Sequence, residues 1–310
     1  MTTHQRRHWA ARVARAAGIG LLTVALAFAG LFTLWLHGVR IPLASGKSLV
    51  RVQKLASADY QGAPDGTVFI LLIGSDLRPG VGGSRGDALH VLAVNPTLKK
   101  GTILNIPRDT CADIPNHGTT KINAANAYGG PTLQAEVIDQ LLGIHLSYSV
   151  LVAFAGFGSL VNGVGGLNIV PPANMNDHDS GAYFKAGVPY HVDGGGALAF
   201  SRDRHDFARG DIQRTANQAM LILDAMAQLR QRASTPAGAF HLLALLGQNA
   251  TITGIGLTDL YRLGRLAQSV NPANIRNFTI PVGGGQCLPL LPGAASAFHD
   301  FADDGVLESH

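Results

Sequence analysis

The sequence predicts an α/β fold, one domain built on a layered sheet, preceded by a single N-terminal membrane-spanning helix. Three observations carry this. Short apolar runs rich in β-branched residues alternate with stretches of helical periodicity, as when strands and helices interleave along one chain. The chain has 310 residues, 46% of them apolar, enough for a sizeable core. Finally, "GIGLLTVALAFAGLFTLWL", from Gly18 to Leu36, holds no charged residue.

Taken in order, residues 1–17 form a basic tail carrying Arg6, Arg7, Arg12 and Arg15 and no acid. Residues 18–36, at 1.5 Å per residue, give about 28 Å of helix, close to the hydrocarbon thickness of a bilayer. A cleaved signal peptide is the alternative, but its apolar region is usually shorter, and "GVRIPLASG" is a poor cleavage site. The basic residues precede the span. The tail is therefore expected in the cytoplasm, and everything after residue 37 outside the plasma membrane. This relocates the charge excess. The chain has 24 basic and 20 acidic residues; without the four tail arginines the count is 20 against 20. The net charge is no sign of nucleic-acid binding.

Residues 37–66 read as a linker ending in turn residues. "TVFILLIG" (67–74), "ALHVLAVN" (88–95) and "GTILNIP" (101–107) read as strands. "PTLQAEVIDQLLG" (131–143) places Leu133, Val137, Ile138 and Leu141 on a helical stripe, "YSVLVAF" (148–154) is another strand, and "AGFGSLVNGVGG" a short helix that stops at glycine. The longest helix is expected over 210–232, with Asp211 as N-cap, followed by helices at 235–249 and 257–269 and a late strand at 274–281. The domain is expected to span 67–300. The acidic segment 301–310 is expected to be a loose tail. Cys111 and Cys287 lie in the exported part, where an oxidising environment favours one disulfide closing a very long loop; two buried thiols are the alternative.

Three stretches carry candidate chemistry. In "LLIGSDLRPGVGGSRGD" a buried strand runs into a glycine-rich loop, which sets Asp76 and Arg78 at the strand's carboxyl end, a favoured ligand location in open α/β sheets. Asp87 starts the next strand, with Arg85 beside it. Two carboxylates at adjacent strand ends can share a hard divalent cation whose other positions are filled by phosphate oxygens and water. Ordinary turn aspartates are the competing reading. In "NIPRDTCADIP", Arg108 and Asp109 follow a strand directly, either as a surface salt bridge or on the same rim as Asp76 and Asp87. In "FSRDRHDFARGDIQR", Arg202 and Arg204 share one side of an extended stretch. Arg214 and Gln218 share one face in the first two turns of the long helix, where free N–H groups favour anions. Guanidinium forks match phosphate oxygens. The competing reading is a solvated loop whose arginines pair with Asp203, Asp206 and Asp211. No P-loop, H-E-x-x-H or G-x-S-x-G motif is present. His90, inside a strand, reads as structural.

In order, "ILLIGSDLR", "SRGDALHVLAVNP", "TILNIPRDT", "KINAANAYGG", "LLGIHLSYSVLVAFAGFGSLVNGVGGLNI", "LAFSRDR" and "GDIQRTANQ" resemble the LytR–CpsA–Psr (LCP) family of cell-wall glycopolymer ligases, over a motif core of residues 67–230. Glycine at 38 positions, with frequent alanine, suggests a GC-rich genome, and the resemblance is to an actinobacterial member of the family. The resemblance implies a three-layer α-β-α architecture with a central mixed sheet and a long apolar pocket for a polyprenyl chain. It implies Mg²⁺- or Mn²⁺-assisted transfer of a glycan phosphate from a polyprenyl diphosphate carrier to a peptidoglycan hydroxyl, at the surface of the lipid bilayer. The metal aspartates fall on Asp76 and Asp87. The diphosphate-binding residues fall on Arg78, Arg85, Arg202, Arg204, Arg214 and Gln218, and the catalytic set on Arg108, Asp109 and Arg204, with Asp76 or Asp109 as the base. This chain departs from the family pattern at Gly86, at Ala88 and at Asn217, which stands where a second helix arginine is usual. A polyprenyl diphosphate hydrolase and a catalytically silent envelope-binding or regulatory protein stay open beside the transferase. Phe154, Phe157, Val137 and Leu141 read first as plain core, with pocket lining as the alternative.

Overall fold

Alternation in one strand organises the fold. Phe69, Leu71 and Ile73 of β2 (Val68–Ser75) point to one face of a sheet, and Ile70 and Leu72 to the other, each meeting its own helices. The structure is a computed structural model that describes residues 50–55, 66–76 and 84–308. The expected basic tail, the anchor at 18–36, most of the linker, and Arg78 lie outside the described residues.

The main sheet joins β2 to β1 (Val50–Lys54), β3 (Gly86–Asn95), β4 (Lys100–Asn105), β7 (Tyr148–Ala153), β12 (Ala250–Thr253) and β13 (Ile275–Thr279), in the order β12-β1-β7-β2-β3-β4-β13. The sheet is mixed: β2 pairs antiparallel with β3 and parallel with β7, and β4 pairs antiparallel with β3 and parallel with β13. Among the described residues, three short antiparallel pairs lie outside it. They are β5 (Cys111–Ile114) with β6 (Gly118–Lys121), β8 (Leu167–Ile169) with β11 (Tyr190–Val192), and β9 (Met175–Asp177) with β10 (Ala182–Phe184).

One face of the sheet is covered by α1 (Ala124–Leu142), through Val137, Ile138 and Leu142, and by α7 (Ala294–Asp304), through Phe298 and Phe301. The helix expected from Pro131 is there, and it extends further towards the N-terminus across a kink at Gly129 and Gly130. The opposite face packs on α4 (Asp211–Arg232) through Ala219, Ile222, Leu223 and Met226. A second cluster, among them Val161, Leu167, Met175, Phe200 and Leu221, joins α4 to α2 (Phe154–Gly163), α3 (Gly194–Arg202) and the small hairpins. A Cβ at Gly194 would lie 2.2 Å from the Gly158 carbonyl oxygen, so glycine is what lets α2 and α3 touch. The helices α5 (Pro236–Asn249) and α6 (Leu257–Ser269) follow as expected.

Three expectations change. The segment 37–66 is not all linker, because β1 is inserted between β12 and β7. The segment 301–310 is not a loose tail up to residue 308. Phe301 is fully buried edge-on against Phe69, with centroids 5.3 Å apart, and Leu307 N–H donates to Thr102 Oγ1 at 3.1 Å. Its acids flank apolar residues that fill a gap in the core. Asp211 is not the N-cap of α4; Gly210 is, at φ 46°, and the Asp211 carboxylate faces two arginines instead.

Cys111 and Cys287 are bridged, with Cα atoms 5.2 Å apart. The bond ties the start of β5 to the segment after β13, beside the hydrogen bonds Cys111 N–H to Leu288 O (2.9 Å) and Leu288 N–H to Asp109 O (2.8 Å).

Candidate active site

Strand register sets the site. β2 and β7 run parallel with Ser75 opposite Ala153, so Asp76 and Phe154 emerge from the same end of the sheet. β3 runs back from that end. Gly74 pairs with Ala88, but Ser75 pairs with Gly86, so Asp87 is the extra residue of a β-bulge. Bulges re-aim side chains at sheet rims, and this one frees Asp87 from the ladder. A Cβ at Gly86 would come 2.9 Å from Leu89 Cδ2, so a larger residue there would require the Leu89 side chain to shift. On the other side, β4 pairs Asn105 with His90, and Ile106 N–H reaches Leu89 O at 3.0 Å. Continuing that register sets Arg108 across from Asp87, and Arg108 Nη1 donates to Asp87 Oδ1 at 2.7 Å.

α4 closes the rim. Arg214 Nη2 lies 2.8 Å from Asp211 Oδ1 and donates to the Asp87 carbonyl at 3.3 Å. Arg108 Nε lies 3.6 Å from Asp211 Oδ2. Burial opposes the charge of Arg108, but Asp211, Asp87 and Asp109 outweigh it and raise its pKa. Arg214 is more buried; desolvation lowers its pKa, and Arg108 and Arg204 add to that effect. These two guanidiniums are therefore concentrated positive charge held in a partly dry site. Gln218, one turn further along α4, donates to the Ser201 carbonyl at 2.9 Å, pinning the end of α3. Arg202 and Arg204 are exposed and make no ion pair among the described residues, so Asp203, Asp206 and Asp211 do not neutralise them. Asp203 is itself buried, its pKa raised to about 6 chiefly by desolvation.

These residues line one cavity of about 610 Å³: Asp76, Asp87, Arg108, Arg202, Arg204, Arg214 and Gln218 all border it. Phe154 and Gln218 also border a second cavity, of about 350 Å³ and almost wholly apolar, between the sheet and helices α2, α3 and α4. Phe157, Leu221, Met226 and Leu229 line it, whereas Val137 and Leu141 lie in or against the core on the opposite face. His90 borders this cavity too. It is buried, hydrogen-bonded through Nδ1 to Asn105 Oδ1 at 2.8 Å, and burial lowers its pKa to about 4, so it is a neutral structural residue.

Other expected residues are elsewhere. Arg85 is exposed and does not border the cavity, and neither does Asn217, which is buried and accepts from Gln213. Asp109 is drawn to Lys121, 3.1 Å away, and is not part of the lining. Conversely, Asp177, Asp179, Ser180 and His205 form a wall of the cavity that the sequence reading missed. His205 sits inside the arginine segment, but its partner Asp177 is 28 residues away on β9, with no motif to announce it.

Asp76 and Asp87 offer carboxylate oxygens to a cavity lined by guanidiniums, and among the described residues Asp177, Asp179 and His205, which line the same cavity, bring three donor atoms within 4.8 Å of one another. The fold and site together define an α/β protein with a central mixed sheet between helices, whose arginine-lined cavity shares Phe154 and Gln218 with an apolar one. The LytR_cpsA_psr family matches residues 38–290, and the chain belongs to that family. It is 33% identical over 196 residues, 63% of each chain, to the polyisoprenyl-teichoic acid–peptidoglycan teichoic acid transferase TagU of Halalkalibacterium halodurans. It is 32% identical over 205 residues to the regulatory protein MsrR of Staphylococcus aureus, covering 63% of this chain and 60% of that one. The chain spans less than two thirds of the length of the curated relatives it matches. Among solved structures, TagV of B. subtilis superposes with a TM-score of 0.62 at 26% identity, over 76% of this chain and 95% of that one.

Proposed function

We propose that this protein is a membrane-anchored phosphotransferase that moves a glycopolymer phosphate from a polyprenyl diphosphate carrier to peptidoglycan. The observation that carries the reading is the junction of the two cavities. Four guanidiniums border the polar cavity, and Phe154 and Gln218 are shared with the apolar one. A diphosphate bearing a long hydrocarbon chain matches both halves at once. The transferase name of TagU is consistent with this chemistry.

In this reading Arg108, Arg202, Arg204 and Arg214 grip the diphosphate. They stabilise the charge that grows on the departing polyprenyl phosphate. Arg108 and Arg214 are pre-aimed by Asp87 and Asp211, so little reorganisation is needed when the anion arrives. Asp76 and Asp87 would hold magnesium or manganese, which supplies further neutralisation of the diphosphate when bound. Gln218 marks where the headgroup ends and the chain begins. The segment 18–36 anchors the protein in the plasma membrane with the catalytic domain outside, where the carrier and wall polymer meet.

The test uses the full-length protein with lipid-linked glycan, with and without peptidoglycan fragments. Magnesium-dependent transfer to the fragments is expected, and Arg204→Ala should lower it by about 10²–10³-fold with an unchanged far-ultraviolet circular dichroism spectrum. Release of polyprenyl phosphate without an acceptor would instead identify a hydrolase. Absence of any activity would favour a silent binding protein. Wild-type turnover by the Arg204→Ala protein would overturn the site assignment.

A further inference from the structure

The acceptor hydroxyl must lose its proton, and the aspartates beside Arg108 are otherwise engaged, Asp211 among them, which lies against Arg108 and Arg214. Asp109 sits with Lys121, and Asp87 accepts from Arg108. The lining of the same cavity also holds a different kind of group. Asp177 ends β9 and is 5% exposed. The β9–β10 turn fixes it: Asp179 N–H donates to Asp177 Oδ1 at 2.9 Å, and Gly181 N–H donates to the Asp177 carbonyl at 2.9 Å. The Asp206 carboxylate accepts from Asn176 N–H and clips this hairpin to the arginine loop. His205 is thereby held with Nδ1 3.0 Å from Asp177 Oδ1.

The chemistry of that contact is directional. A carboxylate can only accept, so Nδ1 carries the hydrogen and the free lone pair is on Nε2. Nε2 makes no hydrogen bond among the described residues, and His205 borders the cavity. Burial opposes the charge on Asp177, but hydrogen bonds from His205 and Asp179 outweigh it and lower its pKa to about 2. A half-exposed imidazole backed by a buried, ionised carboxylate is the arrangement in which a third group orients a base. The charged groups around it are Asp177 and Asp179 from the hairpin, Asp203 and Asp206 from its own loop, and Arg202 and Arg204 on the cavity wall.

We propose that His205 is the general base of this site, taking the acceptor's hydroxyl proton on Nε2 while Asp177 positions the ring. The proposal rests on the transferase reading above. In the step, the acceptor O–H bond breaks and its proton passes to Nε2. The acceptor oxygen forms a bond to the glycan-bearing phosphorus. The bond from that phosphorus to the bridging oxygen breaks, and the electron pair leaves with polyprenyl phosphate. The imidazolium then returns its proton to solvent.

The experiment compares wild type, His205→Gln and Asp177→Asn in the full-length protein, with lipid-linked glycan donor, peptidoglycan fragments and magnesium. For His205→Gln, kcat should fall by about 10²–10⁴-fold with donor KM unchanged, and the loss of rate on the acid side of the wild-type pH profile should disappear. Asp177→Asn should lower kcat in the same direction at the same donor KM. Wild-type kcat in His205→Gln, with the acid limb retained, overturns the assignment. The donor atoms of Asp177, Asp179 and His205 lie within 4.8 Å of one another. Stoichiometric zinc in the purified protein, required for turnover and lost in His205→Gln, would therefore also overturn it. If wild type hydrolyses the donor but never transfers, the transferase reading fails and takes this proposal with it; transfer that survives His205→Gln removes this proposal alone.

Discussion

Replacing Cys111 and Cys287 by serine should destabilise the folded domain by about 5 kcal/mol at 25 °C, from loop-closure entropy. The bridge joins residues 176 apart in sequence, so the unfolded chain it constrains is most of the domain. The logarithmic dependence on loop length makes this one of the larger values a single crosslink can reach. Domains of ordinary stability hold about 5–15 kcal/mol in total, so the serine variant should be near the edge of folding. The assay is a guanidinium titration of full-length protein followed by far-ultraviolet circular dichroism. Tryptophan fluorescence would not serve, because both tryptophans, Trp9 and Trp35, precede the domain. The midpoint should drop in the variant, and wild type with reductant should match it. The hydrogen bonds through Leu288 flank the bridge and keep the native geometry when it is absent, so the loss is attributed to the unfolded state. A change below about 1 kcal/mol would refute the reasoning, since it would mean the unfolded chain is already held compact without the crosslink.

Two further outcomes are expected. His90 has its pKa lowered from 6.5 to about 4 by burial. Its neutral form is favoured in the fold, so this contribution is complete above pH 6.5 and is lost as pH falls towards 4. That amounts to roughly 3 kcal/mol. Asp203, raised to about 6, acts with the opposite sign. The measurement is therefore the stability difference between wild type and His90→Gln, which should shift in favour of the variant by that amount between pH 7 and pH 4. Ala225→Phe places a ring in the apolar cavity of about 350 Å³. Each methylene it excludes costs about 0.8 kcal/mol, so excluding two should weaken a long-chain polyprenyl diphosphate roughly tenfold and leave a short-chain donor unaffected, as read by equilibrium binding.

Local signals were legible wherever the physics is local. Apolar runs marked β2, β3, β4 and β7 because a strand buried on both faces has little room for polar residues. Asp76, Asp87 and Arg108 were readable as site candidates because each lies at a strand end, and antiparallel pairing brings those ends together. The long helix from Asp211 to Arg232 and the pair Arg214 and Gln218 followed from 3.6-residue periodicity.

What remained hidden depends on partners distant in sequence. Asp109 looked like a base until the fold drew it to Lys121. Asp203 and Asp206 looked like counter-ions to the arginines, yet one is buried and the other clips a hairpin. β1 read as linker because its neighbours, β7 and β12, arrive about 100 and 200 residues later. Phe154, Phe157, Val137 and Leu141 are alike as sequence: apolar side chains in or beside helices. By itself the sequence determined that these residues would be covered, because periodicity assigns each to a buried face. Only the tertiary structure decided that the two phenylalanines border a cavity and the other two belong to the core, because that depends on whether opposing side chains meet or leave space between them.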